Sequence, residues 1–212
     1  MSNQEWHSQE KMGTRAMMVR RNPKCAILYL DRFSNKVHFP RVFIKSLSKF
    51  SPGADFDYIH ILKGFKQDDE IRRIKSLSKI GVEPIRFVSV DDAKLPTATF
   101  LEAARQIDHE KIITFVSWSR ILAQNWLKFY IDAFASDPNI GIVGATCGYE
   151  RQDSRDLAAP FPNIGIRTNA FMIDRRLYME LAANVLSRSD ELDFESGPNS
   201  LTKQIIRRGL RP

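Results

Sequence analysis

An α/β fold with a mostly parallel central sheet and helices on both faces follows from three features of the sequence. Short apolar runs rich in β-branched residues alternate with stretches of helical period along most of the chain. Those runs are continuous rather than alternating in polarity, which is how strands covered on both faces read. They also end repeatedly in charged or hydroxyl residues, as strands do where their carboxyl ends open on a ligand site. Strand and helix alternating this many times implies parallel crossover units rather than hairpins.

Taken in order, residues 1–22 mix Gln, Glu, His, Lys and Met without any period and read as a flexible tail, leaving residues 23–212 as one domain. Pro23 introduces the first strand, Cys25-Ala26-Ile27-Leu28-Tyr29-Leu30, which stops at Asp31-Arg32. Pro40 opens a helix with Val42, Phe43, Leu47 and Phe50 at helical spacing, and Ser51-Pro52-Gly53 breaks it. The second strand, Asp57 to Leu62, ends at Lys63-Gly64. Asp68-Asp69-Glu70 then suit the first turn of a helix whose Ile71, Ile74, Leu77 and Ile80 define one inward face, closed by Gly81. The third strand, Pro84 to Val90, runs into Asp91-Asp92, and Thr97 to Ile107 is a helix with Phe100, Ala103, Ala104 and Ile107 inward.

The central strand is Lys111-Ile112-Ile113-Thr114-Phe115-Val116, which opens abruptly into Ser117-Trp118-Ser119-Arg120; Ser119 also suits the N-cap of a helix at Ile121-Leu122. Gln124 to Ala135 is a strongly apolar helix stopped by Asp137-Pro138. Asn139 to Thr146 reads as a glycine-rich buried strand, where another backbone or a ligand approaches closely. The polar stretch 149–162 is long enough for a lid. Ile164 to Ile173 reads as one more strand, Arg175 to Leu186 as a helix, and Asp193 to Ile206 as a helix start after a glycine turn.

With 212 residues and 43% hydrophobic side chains, the chain can bury a core. No apolar run approaches the roughly 20 residues of a bilayer span, and the first 24 residues lack a secretion signal, so a cytoplasmic protein is expected. Cys25 and Cys147 lack metal-ligand spacing and read as reduced core thiols. The net charge of +7 suits acidic partners: nucleotide phosphates, anionic lipid headgroups or nucleic acid. Much of the excess lies in Arg15, Arg20, Arg21 and Lys24 and in Lys203, Arg207, Arg208 and Arg211, which read as solvated termini. A nucleic-acid-binding protein rests on charge alone, since no helix-turn-helix, zinc-finger or aromatic-and-basic sheet motif is present. A dinucleotide-binding dehydrogenase fails because Leu30-Asp31-Arg32-Phe33-Ser34-Asn35 offers no glycine where a pyrophosphate must approach the backbone.

In a parallel sheet the strand ends Asp31-Arg32, Lys63-Gly64, Asp91-Asp92 and Ser117 to Arg120 converge on one edge. Carboxylates there suit ribose or base hydrogen bonds, and Lys63 and Arg120 suit a diphosphate. With the helix Thr97 to Arg105 leading into Glu110 to Phe115, Trp126 on the next helix, the strand Val143-Gly144-Ala145-Thr146, and the segment Phe161 to Ile173, the chain resembles the nucleotide-sugar glycosyltransferases of the GT-A fold. The similarity is to the inverting bacterial surface-polysaccharide family and covers about Cys25 onward.

That resemblance implies a nucleotide-sugar donor bound by Asp31, Arg32, Lys63, Asp91, Asp92, Ser117, Ser119 and Arg120. It also implies a glycan or lipid-linked acceptor met by Arg167 and Asn169, and Glu195 as general base with Asp193 in reserve. Read without the resemblance, Glu195 is a first-turn helix carboxylate. Family members usually hold Mg2+ or Mn2+ with an Asp-x-Asp at the end of the central strand, but the matching residues here are Ser117, Trp118 and Ser119. Two hydroxyls without a carboxylate make a poor site for a hard cation, so Arg120 or Lys63 is the expected counter-charge for the leaving diphosphate. A catalytically silent relative that only binds nucleotide or glycan is the alternative. The basic ends with Trp6, Met17 and Met18 would fit weak attachment to an anionic membrane. The chain also stops without the further segment that usually completes such transferases, so a sequence cut short is an expectation as well.

Overall fold

The computed structural model describes residues 24–78, 80–82, 84–148 and 163–212. The expected tail and the expected lid at 149–162 both lie outside the described residues. Four parallel strands form the heart of the sheet: β1 (Cys25–Arg32), β2 (Asp57–Lys63), β3 (Arg86–Val90) and β4 (Lys111–Phe115). The six-stranded order is β3-β2-β1-β4-β8-β5, with β8 (Ala170–Asp174) antiparallel to both β4 and β5 (Ile142–Gly144). A separate antiparallel pair is made by β6 (Cys147–Gly148) and β7 (Gly165–Ile166). The helices are α1 (His38–Lys49), α2 (Gln67–Leu77), α3 (Pro96–Arg105), α4 (Trp126–Ser136), α5 (Arg175–Ala182), α6 (Arg188–Ser196) and α7 (Leu201–Arg207).

The continuous apolar run of β1 is explained by the two cores it separates. Ala26, Leu28 and Leu30 face one cluster with Phe100 of α3, Tyr178 of α5, Phe194 of α6 and Ile205 of α7. Cys25, Ile27 and Tyr29 face the other, with Phe43 and Ile44 of α1 and Trp126 and Leu127 of α4. Successive strand residues point to opposite faces, so a strand in the middle of three layers has no polar side to show. Burial pushes the Cys25 thiol up to about 12, whereas Cys147 on β6 is exposed, so only one of the two cysteines is a core thiol.

Several local expectations are corrected. In α2 only Leu77 is buried and Ile71 is 45% exposed, because α2 touches the core through its last turn alone. Asn139 to Thr146 is not one strand: the sheet keeps only Ile142–Gly144, and the chain then turns out to pair as β6 with β7. Gly144 permits this, since a Cβ there would collide with the Ile166 side chain. Ile164 to Ile173 is likewise split, with a turn at 167–169 between β7 and β8. No helix begins at Ile121; instead the Ile121 amide donates to Ser46 Oγ at 2.9 Å. Asp193 to Ser196 ends α6 rather than starting a helix, with Gly197 as its C-cap.

The basic C-terminal run is not a solvated tail. Lys203 and Arg207 lie in α7, Arg207 donates to Asn199 and Pro198, Arg208 pairs with Glu180, and Arg211 pairs with Asp137. The Arg211 backbone is stitched beside β5, donating to Asn139 O at 2.8 Å and accepting from Gly141 N at 2.9 Å. Among the described residues no helix is long and apolar enough to cross a membrane.

Three substitutions test this architecture. Ile112→Ala, at a fully buried position of β4, should cost about 2–5 kcal/mol in urea denaturation, and Ile71→Ala should stay within about 0.5 kcal/mol. Gly64 has φ +75°, and a Cβ there would lie 2.7 Å from Asp92 Cβ. Gly64→Ala should therefore lower the melting temperature through backbone strain and displacement of Asp92, by roughly 1–2 kcal/mol in stability.

Candidate functional site

The carboxyl ends of β1, β2, β3 and β4 line one edge of the sheet, and the antiparallel β8 begins at the same edge, with Ala170 opposite Phe115. Asp31 and Arg32 diverge at the end of β1 because the pleat sends them to opposite sides. Asp31 is fully buried, and Arg73 Nη1 donates to its two oxygens at 2.7 and 2.8 Å. His60 Nε2 lies 3.1 Å from the same carboxylate, and its Nδ1 lies 2.7 Å from the Tyr58 hydroxyl. Burial drives the Tyr58 phenol well above its ordinary range, so it stays neutral and donates to Nδ1, leaving the Nε2 proton for Asp31. Arg73 also donates to Asn35 O at 3.0 Å. Asp31 thus ties the loop after β1 to α2 and has no oxygen turned to solvent.

Arg32 is exposed and grips Asp92 in bidentate fashion, Nε to Oδ1 at 2.9 Å and Nη2 to Oδ2 at 3.1 Å. Lys63, itself buried, reaches the same residue at its carbonyl (2.5 Å) and Oδ1 (2.9 Å). Hydrogen bonds from Arg32 and then Lys63 hold the Asp92 carboxyl down at about 2. The trio by itself sums to one positive charge, with the exposed Asp91 beside it at the end of β3. Asp91 is exposed and turns back to accept from the Ala93 amide at 2.7 Å, so it closes the turn after β3.

At the end of β4 the Ser117 hydroxyl donates to Leu30 O at 2.7 Å, and the Tyr29 hydroxyl donates to Ser117 O at 2.7 Å. Ser117 is therefore buried and committed to β1. The Ser119 amide donates to Val116 O at 2.9 Å, forming a tight turn that leaves Trp118 and Arg120 exposed. Arg120 forms no hydrogen bond or ion pair among the described residues. The residues in the Asp-x-Asp place do not fit Mg2+ or Mn2+: one hydroxyl is already spent as a donor and no carboxylate accompanies the other. Among the described residues no group of three or more His, Cys, Asp or Glu side chains is placed to hold a metal ion.

Beyond β4, Val116 N donates to Asn169 O at 3.1 Å, which fixes the turn carrying Arg167 and Asn169. Asn169 Oδ1 accepts from the Thr146 hydroxyl at 3.4 Å. Arg167 lines a small cleft with Gly148, Gly165, Asn163 and Glu195, and it crosses Gly148 so closely that a Cβ there would lie 2.6 Å from its Nε. Glu195 is half-buried in the last turn of α6, not the first turn of a helix. Burial lifts its carboxyl above the ordinary range, with Arg188 pulling the other way, and the negative end of the helix dipole acts in the same sense as burial. It makes no hydrogen bond or ion pair among the described residues. Asp193, two residues earlier on the helix, accepts from the Asn199 amide and side chain, both at 2.8 Å, and so shapes the α6 to α7 turn instead.

Sequence reading missed Glu191, one helical turn before Glu195. Its Oε1 accepts from the Thr97 amide at 3.1 Å and hydroxyl at 2.9 Å, so α6 caps the first turn of α3, while Oε2 is buried without a partner. Burial raises this carboxyl, and Glu195 adds to the rise. Lys203, read from the sequence as a solvated terminal charge, instead donates to Asn163 Oδ1 at 2.9 Å and Gly197 O at 3.0 Å and so braces the wall of the Glu195 cleft. Nothing in the local pattern marks either role, because Thr97 and Asn163 lie 94 and 40 residues away in the chain.

No protein-family model and no curated protein matches the chain. Solved structures do. A putative glucose-1-phosphate thymidylyltransferase from Bacillus anthracis, in complex with sucrose, superposes with TM-score 0.56 at 11% identity, covering 88% of this chain and 85% of that one. A CMP:2-keto-3-deoxy-manno-octonic acid synthetase complexed with CTP gives 0.54 at 9% identity, covering 87% and 86%. A mannosyltransferase from Pyrobaculum calidifontis, in complex with GDP-Man and Mn2+, gives 0.53 at 13% identity, covering 89% of this chain; the chain spans about half, 53%, of that protein's length. At such identities the likeness is one of fold: the chain has the mixed, mainly parallel sheet shared by nucleotide-sugar transferases and nucleotidyltransferases of GT-A type.

Proposed function

We propose that the chain transfers a sugar from a nucleotide-sugar donor to a hydroxyl of a surface-glycan or lipid-linked acceptor, with inversion at the anomeric carbon. Glu195 carries this reading: among the described residues it has no hydrogen-bond or ion-pair partner, burial raises its carboxyl, and it shares a cleft with Arg167, while Arg32, Lys63 and Arg120 lie at or just past the carboxyl ends of β1, β2 and β4. As general base, Glu195 takes the proton of the acceptor hydroxyl while that oxygen attacks the anomeric carbon. The bond from the anomeric carbon to the phosphate oxygen breaks, and its electron pair leaves with the nucleoside diphosphate. Arg120, with the excess positive charge of the Arg32, Lys63 and Asp92 trio, supports that developing charge without rearranging at the moment of reaction. Arg167 and Asn169 offer hydrogen bonds to sugar or acceptor hydroxyls. An acceptor on an anionic lipid at the cytoplasmic membrane surface suits the net charge of +7.

The first measurement is calorimetry and thermal shift with UDP, GDP, CMP and dTDP sugars, each with Mn2+ or with chelator. Stabilisation by one nucleotide family that persists in chelator is the expected result, because the end of β4 lacks a carboxylate. Silence toward every donor would leave only the non-catalytic relative or a nucleic-acid binder.

In a donor-hydrolysis or transfer assay, Glu195→Gln should lower kcat by about 10²–10⁴ while donor affinity stays within about twofold. A base must be deprotonated to act, so kcat/KM should rise with pH through a midpoint above the ordinary 4.5 of a glutamate. An unchanged rate in the variant, or a profile that falls over that range, would remove Glu195 from the role.

A further inference from the structure

Trp118 is 65% exposed in the turn that ends β4, although a large apolar ring gains most from burial. It is not loose. The Phe39 ring meets it edge-on, with centroids 4.8 Å apart and planes at 78°. The backbone beneath it is pinned on both sides: Tyr29 and Ser117 bind β1 and β4 to each other, and Ser119 N closes the turn on Val116 O. The indole is thus largely exposed yet braced in position, which lowers the ordering cost of anything that covers it.

Its place along the sheet edge indicates what that is. On one side lie Arg32 and Lys63, at the ends of β1 and β2; on the other, past Asn169, lie Arg167 and Glu195. In a transfer reaction the phosphates sit on the cations and the attacking hydroxyl sits at the base, so the group being moved occupies the interval. In the strand order the end of β4, which carries Trp118 and Arg120, comes between the ends of β1 and β2 and the start of β8. A pyranose has a polar rim but two faces of C–H groups, and these faces carry the partial positive charge that complements the electron-rich face of an indole.

Resting on the donor reading above, we infer that Trp118 is the platform on which the pyranose of the donor stacks, so that the site takes a nucleotide-linked sugar in preference to the bare nucleotide. Covering roughly 55 Å² of ring at the usual apolar coefficient corresponds to about a tenfold change in affinity.

The test is calorimetry on the full chain with nucleoside diphosphates and the matching nucleotide sugars, comparing wild type, Trp118→Ala and Trp118→Phe. Trp118→Ala should weaken the nucleotide sugar about tenfold and leave the nucleoside diphosphate within twofold, and Trp118→Phe should restore most of the loss. Equal weakening of both ligands would place the base or the phosphates on the ring and overturn the inference. Wild type binding both ligands with no dependence on Trp118 would overturn it while leaving the donor reading intact. Wild type binding neither ligand would overturn the donor reading, and the platform with it.

Discussion

Two short hydrogen bonds fix the middle of the sheet's carboxyl edge. The Tyr29 hydroxyl donates to Ser117 O and the Ser117 hydroxyl donates to Leu30 O, so the ends of the two central strands are tied at one level. Beyond that knot β4 cannot continue as a strand, and the next residues must turn outward. Trp118 and Arg120 therefore emerge at the middle of the sheet edge, while the Val116 amide and Asn169 carbonyl hold the turn bearing Arg167 against the same point. Both knot groups are buried, so breaking either would leave an unpaired donor or acceptor inside the fold.

Charge is arranged around this knot with its two signs separated. On the β1, β2 and β3 side a single carboxylate, Asp92, binds two cations to each other, and the trio itself carries one net positive charge beside the exposed Asp91. On the α6 side Glu195 has no ion-pair partner among the described residues, and burial favours its neutral form. A carboxylate held far below its ordinary range on one flank and another held above it on the other gives the edge an electrostatic direction. Anionic groups are drawn toward the first flank, and a proton is readily accepted at the second. The network of buried Asp31, His60 and Tyr58 with the partly buried Arg73 underlies the first flank and keeps the loop after β1 in position.

Much of the fold was legible because its elements obey local rules. Continuous apolar runs marked β1, β2 and β4, since a strand between two helical layers has no polar face, and the helices between them carried their own periods and stops. The errors fall where a distant partner overrides the local pattern. Asn139 to Thr146 reads as one strand, yet the close approach of Ile166 at Gly144 draws the chain off the sheet into the β6 and β7 pair. Ile71 matches a helical stripe, yet α2 reaches the core only through its last turn.

The amino-acid sequence by itself determined the α/β class, the parallel character of the sheet and the polar residues gathered at its carboxyl edge, because each depends on residues close together in the chain. Only the tertiary structure decided what those polar residues do. Asp31, Asp91, Asp92, Asp193 and Glu195 are all short acidic side chains near element ends, indistinguishable by spacing. Arg73 and His60 consume the first, a local turn the second, Arg32 and Lys63 the third, and Asn199 the fourth. Glu195 alone among these five lacks a hydrogen-bond or ion-pair partner among the described residues. Partnership between side chains up to 60 residues apart is a property of the packed chain, and it is what separates a carboxylate used by the fold from one without a partner among the described residues.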